Sequence, residues 1–172
     1  MSRIAALAAL LLPAAAAAEG PLAARAILRD AKGSTVGTAV LVAEGDGVRI
    51  TLQVRDLPAG KHAFHVHAVG KCDPPDFQSA GPHFNPAGKK HGVKNPEGHH
   101  LGDLPNIDVG AAGKGEALAV AKGATLAGGP GSLFGPQGTA LVVHEKADDE
   151  MTDPAGNAGP RIACGVIERT QD

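Results

Sequence analysis

The 172-residue sequence contains no tryptophan, no tyrosine and only four phenylalanines. An aromatic-rich binding surface is therefore excluded, and the core must be built from valine, leucine, isoleucine and alanine. The sequence also has no run of basic residues, and 16 lysines and arginines against 18 aspartates and glutamates give a formal charge of −2. This balance argues against nucleic acid as a partner. Beyond the N-terminal segment, no stretch has helical periodicity over three turns, which argues against a helical bundle.

The chain is instead rich in glycine, proline and histidine. Its 24 glycines and 13 prolines lack the fixed period of collagen, so turns and ordered loops must make up much of the chain. A domain of this size buries about 70% of its unfolded surface, so no second domain is required. Eight histidines accompany only two cysteines. This imbalance indicates metal binding through imidazole.

The N-terminal segment predicts a signal peptide over residues 1–18. Arg3 is followed by an apolar stretch over 4–12, by Pro13 and by small residues that end at Ala18, the expected cleavage site. A retained anchor or an alanine-rich helix is the alternative, but the apolar stretch is shorter than the span of about 20 residues that crosses a bilayer. Cleavage leaves one domain over 19–172 with 18 acidic and 15 basic residues, a net charge of −3.

Export changes the interpretation of the two cysteines. In an oxidising compartment, Cys72 and Cys164 favour a disulfide over a pair of thiols. They lie 92 residues apart in the sequence. In the simplest chain-entropy account, closing such a loop contributes at most about 4 to 5 kcal/mol to stability. The bridge would tie a proline-rich loop to a C-terminal strand.

The rest of the chain has the pattern of short β-strands. Between Val48 and Val54 apolar and polar residues alternate strictly, which predicts a strand with one buried face. The acidic, glycine-containing link 44–47 predicts a hairpin turn before this strand. The predicted strands are 36–42, 48–54, 63–67, 116–120, 140–144 and 162–167. Short strands with glycine-rich turns predict an all-β fold, an antiparallel sandwich or Greek-key barrel.

Two long connections, 70–104 and 145–160, have no strand pattern. Loops of this length in a compact domain are usually either functional or disordered. The second loop is acidic at first and then rich in glycine and proline. The first loop holds a group of potential ligands, namely Cys72, His83, His91, His99, His100 and Asp103.

Histidines form the most informative pattern. His65 and His67 are two residues apart on a predicted strand, so both rings leave the same face, with backbones about 6.6 Å apart. Alone, such a pair would be explained as two ordinary strand histidines. The further candidates are His83, His91, His100, Asp103 and His144. Six histidines and one carboxylate exceed the ligands of one site, so either some are spectators or two metals bind. An all-nitrogen set favours copper, and histidines with a carboxylate suit zinc.

Several dispersed motifs then match a known family in the right order. They are Phe64-His65-Val66-His67, Ala80-Gly81-Pro82-His83-Phe84-Asn85-Pro86, His100-Leu101-Gly102-Asp103-Leu104, Val142-Val143-His144-Glu145-Lys146-Ala147-Asp148-Asp149, and the segment from Gly156 to Ile167 that contains Arg161 and Cys164. Over nearly the whole predicted mature chain, the sequence closely resembles copper, zinc superoxide dismutase. The resemblance implies a Greek-key, immunoglobulin-like β-sandwich or barrel with two long functional loops.

The resemblance also implies the roles of individual residues. Copper would be bound by His65, His67, His83 and His144. Zinc would be bound by His83, His91, His100 and Asp103, with His83 as the shared bridge. Asp148 would link a copper ligand to a zinc ligand, Cys72 and Cys164 would form the disulfide, and Arg161 would act with His83 in catalysis. One copper and one zinc ion per chain would then convert superoxide to oxygen and hydrogen peroxide, as copper alternates between Cu(II) and Cu(I).

Other features are expected to stay outside the ligand set. His62 is three residues before His65 and so lies on the opposite face of the strand, which predicts a structural hydrogen-bonding role. His99 is expected to face solvent or to contact a ligand residue without binding metal itself. Lys122 and Lys146 are candidates for attracting the anionic substrate. Loop lengths resemble bacterial family members, which together with the signal peptide predicts a periplasmic protein. No stable membrane association is expected, and a homodimer is possible. The alternatives are a non-catalytic metal-binding relative and a secreted β-sandwich that holds zinc alone.

Overall fold

A computed structural model describes residues 23–170, so the predicted signal peptide lies outside the described residues. The described chain forms ten β-strands and one short 3₁₀-helix, Gln78–Ala80. The strands are β1 (Ala23–Asp30), β2 (Thr35–Glu44), β3 (Gly47–Val54), β4 (Gly60–His62), β5 (Phe64–His67), β6 (Ile107–Val109), β7 (Gly115–Lys122), β8 (Ala140–His144), β9 (Arg161–Val166) and β10 (Glu168–Arg169).

The strands form one antiparallel sheet that closes into a barrel. Its order is β4-β6-β7-β3-β2-β1-β9-β8-β5, and β10 pairs with β1. The two end strands, β4 and β5, are consecutive in the chain and separated only by Ala63. The stretch 60–67 therefore pairs with β6 through its first half and with β8 through its second half. This closure confirms the predicted all-β, Greek-key fold.

The inside of the barrel is an aliphatic core, as the shortage of aromatic residues requires. In β3 the side chains of Val48, Ile50, Leu52 and Val54 are buried, whereas the intervening residues are more exposed. Phe64 is the exception, a fully buried aromatic ring in β5. Because side chains alternate along a strand, the inward direction of Phe64 and Val66 sends the side chains of His65 and His67 to the outside of the barrel.

Each of the six predicted strands coincides with an observed strand to within a few residues, and the turn between β2 and β3 lies where it was predicted. The sequence analysis missed β1, β4, β6 and β10. In β1 the inward residues include two alanines and the outward ones include the apolar Ile27, so the alternation has little hydrophobic contrast. The three other missed strands have only two or three residues. Pairing with neighbours, rather than intrinsic preference, defines strands this short.

Two long loops cover the outer face of β5 and β8. In the structure the first loop extends over residues 68–106, slightly more than the predicted 70–104, and the second loop extends over residues 145–160. A disulfide joins Cys72 of the first loop to Cys164 of β9, with a Cα–Cα distance of 5.6 Å. Beside it, Phe77 and Ala80 of the first loop pack on Ala140 and Val142 of β8. Within residues 23–170, no helix is both long enough and apolar enough to cross a membrane.

Candidate metal centre

The first loop runs along the free edge of β5 and brings ligands to it. Isolated β-bridges pair His67 with His83 and His65 with Asp103. The N–H of Val66 donates to the carbonyl oxygen of Gly102 (2.9 Å), and the carbonyl oxygen of Val66 accepts from Phe84 (2.8 Å). A Cβ atom at position 102 would overlap the Val66 carbonyl oxygen, so only glycine permits this approach. The backbone therefore fixes the distance between strand and loop histidines.

His144 reaches the same place from the end of β8. Val143 pairs with Ala163 and His144 pairs with Arg161, so Ile162 is an extra residue in β9. Such a bulge bends a strand and redirects nearby side chains. It places His144 and Arg161 opposite each other at the mouth of the barrel.

Two groups of four potential ligands result. The first group is His65, His67, His83 and His144, and the second group is His83, His91, His100 and Asp103. In each group one ligand atom per residue lies within 4.8 Å of the others. All of these side chains are buried, none being more than 6% exposed. His83 belongs to both groups, so the structure brings together every ligand residue that the sequence analysis named.

Backbone hydrogen bonds define which ring nitrogen is free in two members of the first group. His67 Nδ1 donates to the carbonyl oxygen of Gly81 (2.8 Å), and His144 Nδ1 donates to that of Gly159 (3.1 Å). Their Nε2 atoms face each other at 3.4 Å. Burial, together with the neighbouring histidines, lowers the pKa of His67 to about 2 and that of His144 to about 3. Both rings are therefore neutral and present Nε2 lone pairs.

The two other members of the first group supply unpartnered nitrogen atoms. His65 Nδ1 and His83 Nε2 are buried without a hydrogen-bond partner. An unpaired buried nitrogen is costly, so such atoms call for an explanation. Here each belongs to a histidine of the all-nitrogen group, where a metal ion would satisfy it. The donor set fits copper, which binds imidazole readily.

Asp103 is the centre of the second group. Its Oδ1 lies 2.9, 3.0 and 3.2 Å from the Nδ1 atoms of His83, His91 and His100. Its Oδ2 accepts hydrogen bonds from the backbone N–H groups of Gly92 (2.9 Å) and His100 (3.0 Å). Burial alone would raise the pKa of Asp103, but bonds from the three histidines and Gly92 hold it far below its ordinary value. Three imidazole nitrogens and one carboxylate are a suitable tetrahedral set for zinc.

Asp148 of the second loop links the two groups. Its Oδ2 accepts from His65 Nε2 (2.8 Å), and its Oδ1 accepts from His91 Nε2 (3.0 Å). Burial lowers the pKa of His91, but Asp103 and Asp148 outweigh it and raise that pKa to about 9. One carboxylate therefore orients a ring from each group.

Arg161 contributes a half-buried positive charge beside the first group. Its Nη1 donates to the carbonyl oxygen of Phe77 (2.7 Å), and its Nη2 donates to that of Gly81 (2.7 Å). The Gly81 oxygen also accepts from His67. Burial lowers the pKa of Arg161, but a guanidinium stays charged at any physiological pH.

With this geometry in place, comparison with known proteins is decisive. Residues 35–167 match the family model described as copper/zinc superoxide dismutase (SODC). The chain belongs to this superoxide dismutase family. A protein from Aquifex aeolicus (strain VF5) named superoxide dismutase (Cu-Zn) 1 is 51% identical over 139 residues, which cover 80% of this chain and 82% of that protein. A superoxide dismutase (Cu-Zn) from Caulobacter vibrioides is 41% identical, covering 84% and 85% of the two chains.

Solved structures agree with this superoxide dismutase assignment. The crystal structure of a SOD-like protein from Bacillus subtilis is 40% identical, with a TM-score of 0.79, and covers 83% of this chain and 96% of that one. Membership makes the chain an oxidoreductase that acts on superoxide and uses copper and zinc as its metals.

The two histidines predicted to lie outside the ligand set are in neither ligand group of this superoxide dismutase. His62 is buried, and its ring nitrogens lie 2.8 Å from the carbonyl oxygens of His144 and Pro58. His99 is partly buried and donates from Nδ1 to the carbonyl oxygen of His100 (2.8 Å). Lys122 and Lys146 are exposed.

Sequence reasoning missed two supporting residues of the superoxide dismutase site. Asn106 donates from Nδ2 to the carbonyl oxygen of Asp148 (2.9 Å), and its Oδ1 accepts from the Asp148 N–H (2.7 Å). Asp153 accepts the backbone N–H of His91 at its Oδ1 (2.8 Å). Both act on backbone groups, which leave no spacing pattern in a sequence. The only signal was the position of Asp153 within a loop that also carries Asp148.

Proposed function

We propose that this chain converts two superoxide ions and two protons to oxygen and hydrogen peroxide at a copper ion held by the first group, beside a zinc ion held by the second group. The observation that carries this assignment is the pair of buried, unpartnered nitrogen atoms, His65 Nδ1 and His83 Nε2. Copper supplies one-electron chemistry through Cu(II) and Cu(I), whereas zinc has no redox states.

The copper ligands hold fixed tautomers. Because Nδ1 of His67 and of His144 donates to a backbone carbonyl, Nε2 is the free nitrogen in each ring. His65 has the opposite arrangement, with Nε2 bonded to Asp148 and Nδ1 free. Partners behind the ligands fix ring orientation and tune ligand basicity. The protein therefore presents four imidazole nitrogens toward one point without rearrangement.

His83 is the residue that moves a proton. Its Nδ1 faces Asp103, while Nε2 has no partner and is the atom that can take a proton during turnover. Burial is the main cause that lowers the pKa of His83 to about 4, against the opposing hydrogen bond with Asp103. The proposal therefore places the transferred proton at Nε2 of His83, the ring atom that the fold leaves without a hydrogen-bond partner. Arg161 and His83 together form the proposed catalytic pair.

Arg161 attracts and orients the substrate. Superoxide is a small anion, and a net charge of −3 on the mature chain would repel it on average. A local positive charge can overcome such repulsion and raise the rate of capture. The guanidinium is fixed by the carbonyl oxygens of Phe77 and Gly81, so it lies in one place next to the copper ligands.

Metal content and activity on one purified sample test the assignment. We expect one copper and one zinc ion per chain, and superoxide-dismutating activity that survives dialysis and is lost on copper chelation. A non-catalytic relative would bind metal without activity, and a structural β-sandwich would bind zinc alone. Zinc without activity after copper loading would overturn the proposed function. Retention of all first-group histidines and of Arg161 favours the enzyme over both alternatives.

The mature protein is proposed to be periplasmic, with residues 1–18 removed and the domain spanning 19–172. The disulfide between Cys72 and Cys164 fits an oxidising compartment, since disulfides are rare in the cytosol. We expect cell fractionation to recover the protein in the periplasmic fraction, without stable membrane association. N-terminal sequencing should begin at Glu19. Recovery with an intact leader in the membrane fraction would contradict this location.

A homodimer is proposed through the outer face of β1, β2, β3 and β7. Four of the six exposed large hydrophobic residues of the described chain lie there, namely Ile27, Val40, Leu118 and Val120. The strands β1 and β7 are the two sides of this face, so a two-fold axis along the strands would place β1 of one copy over β7 of the other and bury the four apolar side chains between them. Sedimentation should show a dimer that Leu118→Glu dissociates and that Val93→Glu, elsewhere on the surface, leaves intact. Dissociation by neither variant would refute this interface.

A further inference from the structure

His91 is held at its backbone as well as at its ring. Its ring nitrogens face Asp103 and Asp148, as described above. Its carbonyl oxygen accepts from Nδ2 of Asn95 (3.0 Å), and its N–H donates to Oδ1 of Asp153 (2.8 Å). The chain around His91 is therefore fixed from several directions, and two of these contacts, those of Asp148 and Asp153, come from the second loop.

The peptide groups at positions 91 and 92 are bound from two different loops. The N–H of His91 donates to Asp153 in the second loop, whereas the next N–H, of Gly92, donates to Oδ2 of Asp103 in the first loop (2.9 Å). The second loop packs tightly here, because a Cβ atom at position 92 would overlap the carbonyl oxygen of Glu150. These two N–H groups belong to the peptide planes before and after His91, so the two bonds fix the backbone on both sides of the residue and hence the direction in which its side chain leaves the chain.

Asp153 is suited to a supporting role and not to metal binding. Its side chain is 43% exposed, and it belongs to neither ligand group. Its Oδ1 is occupied by the His91 N–H, and its Oδ2 lies 3.3 Å from Nζ of Lys90. An exposed ion pair of this kind contributes little. The bond to His91 is therefore the contact that matters.

We propose that Asp153 is a positioning residue of the zinc site, which holds His91 Nδ1 toward Asp103 by accepting the His91 N–H. The proposal rests on the assignment of zinc to the second group. It makes the second loop responsible for the zinc site at two points, through Asp148 at the ring and through Asp153 at the backbone. Partners behind metal ligands typically change metal affinity by about 10- to 100-fold, and the partial exposure of Asp153 places the effect near the lower value.

Two substitutions separate the hydrogen bond from the charge. Asp153→Ala removes both, whereas Asp153→Asn removes the charge and keeps an oxygen that can accept the His91 N–H. Lys90→Ala removes only the ion pair. Glu97→Ala is a matched control, because it removes one exposed negative charge from the first loop without removing a bond to a ligand residue.

The measurement is zinc affinity of the full mature chain by competition with a chelator, together with the absorption spectrum of cobalt(II) bound in place of zinc. We expect Asp153→Ala to weaken zinc binding about tenfold and to shift the cobalt bands. Asp153→Asn, Lys90→Ala and Glu97→Ala should stay within about threefold of the unsubstituted chain, which is less than 1 kcal/mol at 1.4 kcal/mol per tenfold. A purely structural effect would lower thermal stability without moving the cobalt bands.

The outcomes distinguish failure of the proposed zinc site from failure of the positioning role of Asp153. If the unsubstituted chain binds no zinc, the proposed function fails first. If it binds zinc and Asp153→Ala binds it equally well, the positioning role alone is wrong. Equal losses in Asp153→Ala and Asp153→Asn would show that charge, not the hydrogen bond, supports the site and would also overturn the inference.

Discussion

Substitution of Gly156 by alanine tests how Asp148 is held against both ligand groups. Gly156 has a φ of 60°, and a Cβ atom there would overlap Asp148 Oδ1 and lie 2.8 Å from His91 Nε2. The backbone cannot withdraw easily, because the Gly156 N–H donates to Thr152 O (2.7 Å) and its carbonyl oxygen accepts from the Asp149 N–H (2.9 Å). Asp148 must therefore move.

The expected loss of folding stability in Gly156→Ala has two parts. A left-handed conformation costs a non-glycine residue about 1 kcal/mol. Displacement of Asp148 breaks at least one of its buried bonds to His65 and His91, and bonds to charged groups contribute about 1.5 to 3 kcal/mol each. Gly156→Ala should therefore destabilise the protein by about 2.5 to 4 kcal/mol. At about 2 to 4 °C per kcal/mol, its melting temperature should fall by about 10 °C.

Gly88 provides a matched control for this experiment. It also has a φ of 60°, but no atom lies within 4 Å of its added Cβ. Gly88→Ala should therefore cost only the conformational strain, about 1 kcal/mol. Calorimetry and metal analysis of both variants separate the backbone strain at a positive φ from the steric overlap with Asp148. If Gly156→Ala matches Gly88→Ala in melting temperature and metal content, Asp148 is not the rigid link described here.

Three further predictions concern the ligands, the charge and the disulfide. His83→Ala should lose both metals in elemental analysis and His99→Ala neither, because only His83 belongs to both ligand groups; copper loss from His99→Ala would contradict the ligand assignment. Arg161→Glu should slow superoxide turnover at least about tenfold at low salt, where charge effects are strongest, while metal content stays normal; an unchanged rate in a superoxide assay would exclude attraction by this residue. Replacing Cys72 and Cys164 together by serine should lower the free energy of unfolding by about 2 to 4 kcal/mol in denaturant titrations, and an unchanged value would mean that the loop is held by packing alone.

The fold was predictable where side chains alternate in polarity with good contrast. In β3 the residues from Val48 to Val54 carry a strong period-two signal, and the strand is observed there. In β1 alanine replaces larger apolar residues at Ala24 and Ala26, so the signal fades although the strand has eight residues. Closure of the barrel could not be read from any local segment. It depends on which strands pair across long separations.

Ligand identities were predictable because each metal site needs particular side chains in a fixed order along the chain. The supporting contacts were not, for a physical reason. Asn106 and Asp153 bind backbone groups of Asp148 and His91, and any polar residue at the right point in space could do so. Likewise, the choice of Nδ1 or Nε2 in His67 is decided by the distant carbonyl oxygen of Gly81, which only the folded chain brings near.

The stretch 60–67 has a consequence for the order of events during folding. It is the seam of the barrel, since its two halves pair with strands that lie about 45 and 77 residues further along the chain. Contacts between such distant segments form late. The same stretch carries His65 and His67, so sealing the seam and assembling the four-nitrogen group are one step. A partly folded chain therefore lacks a complete copper site, and copper can be captured firmly only by a barrel that has already closed.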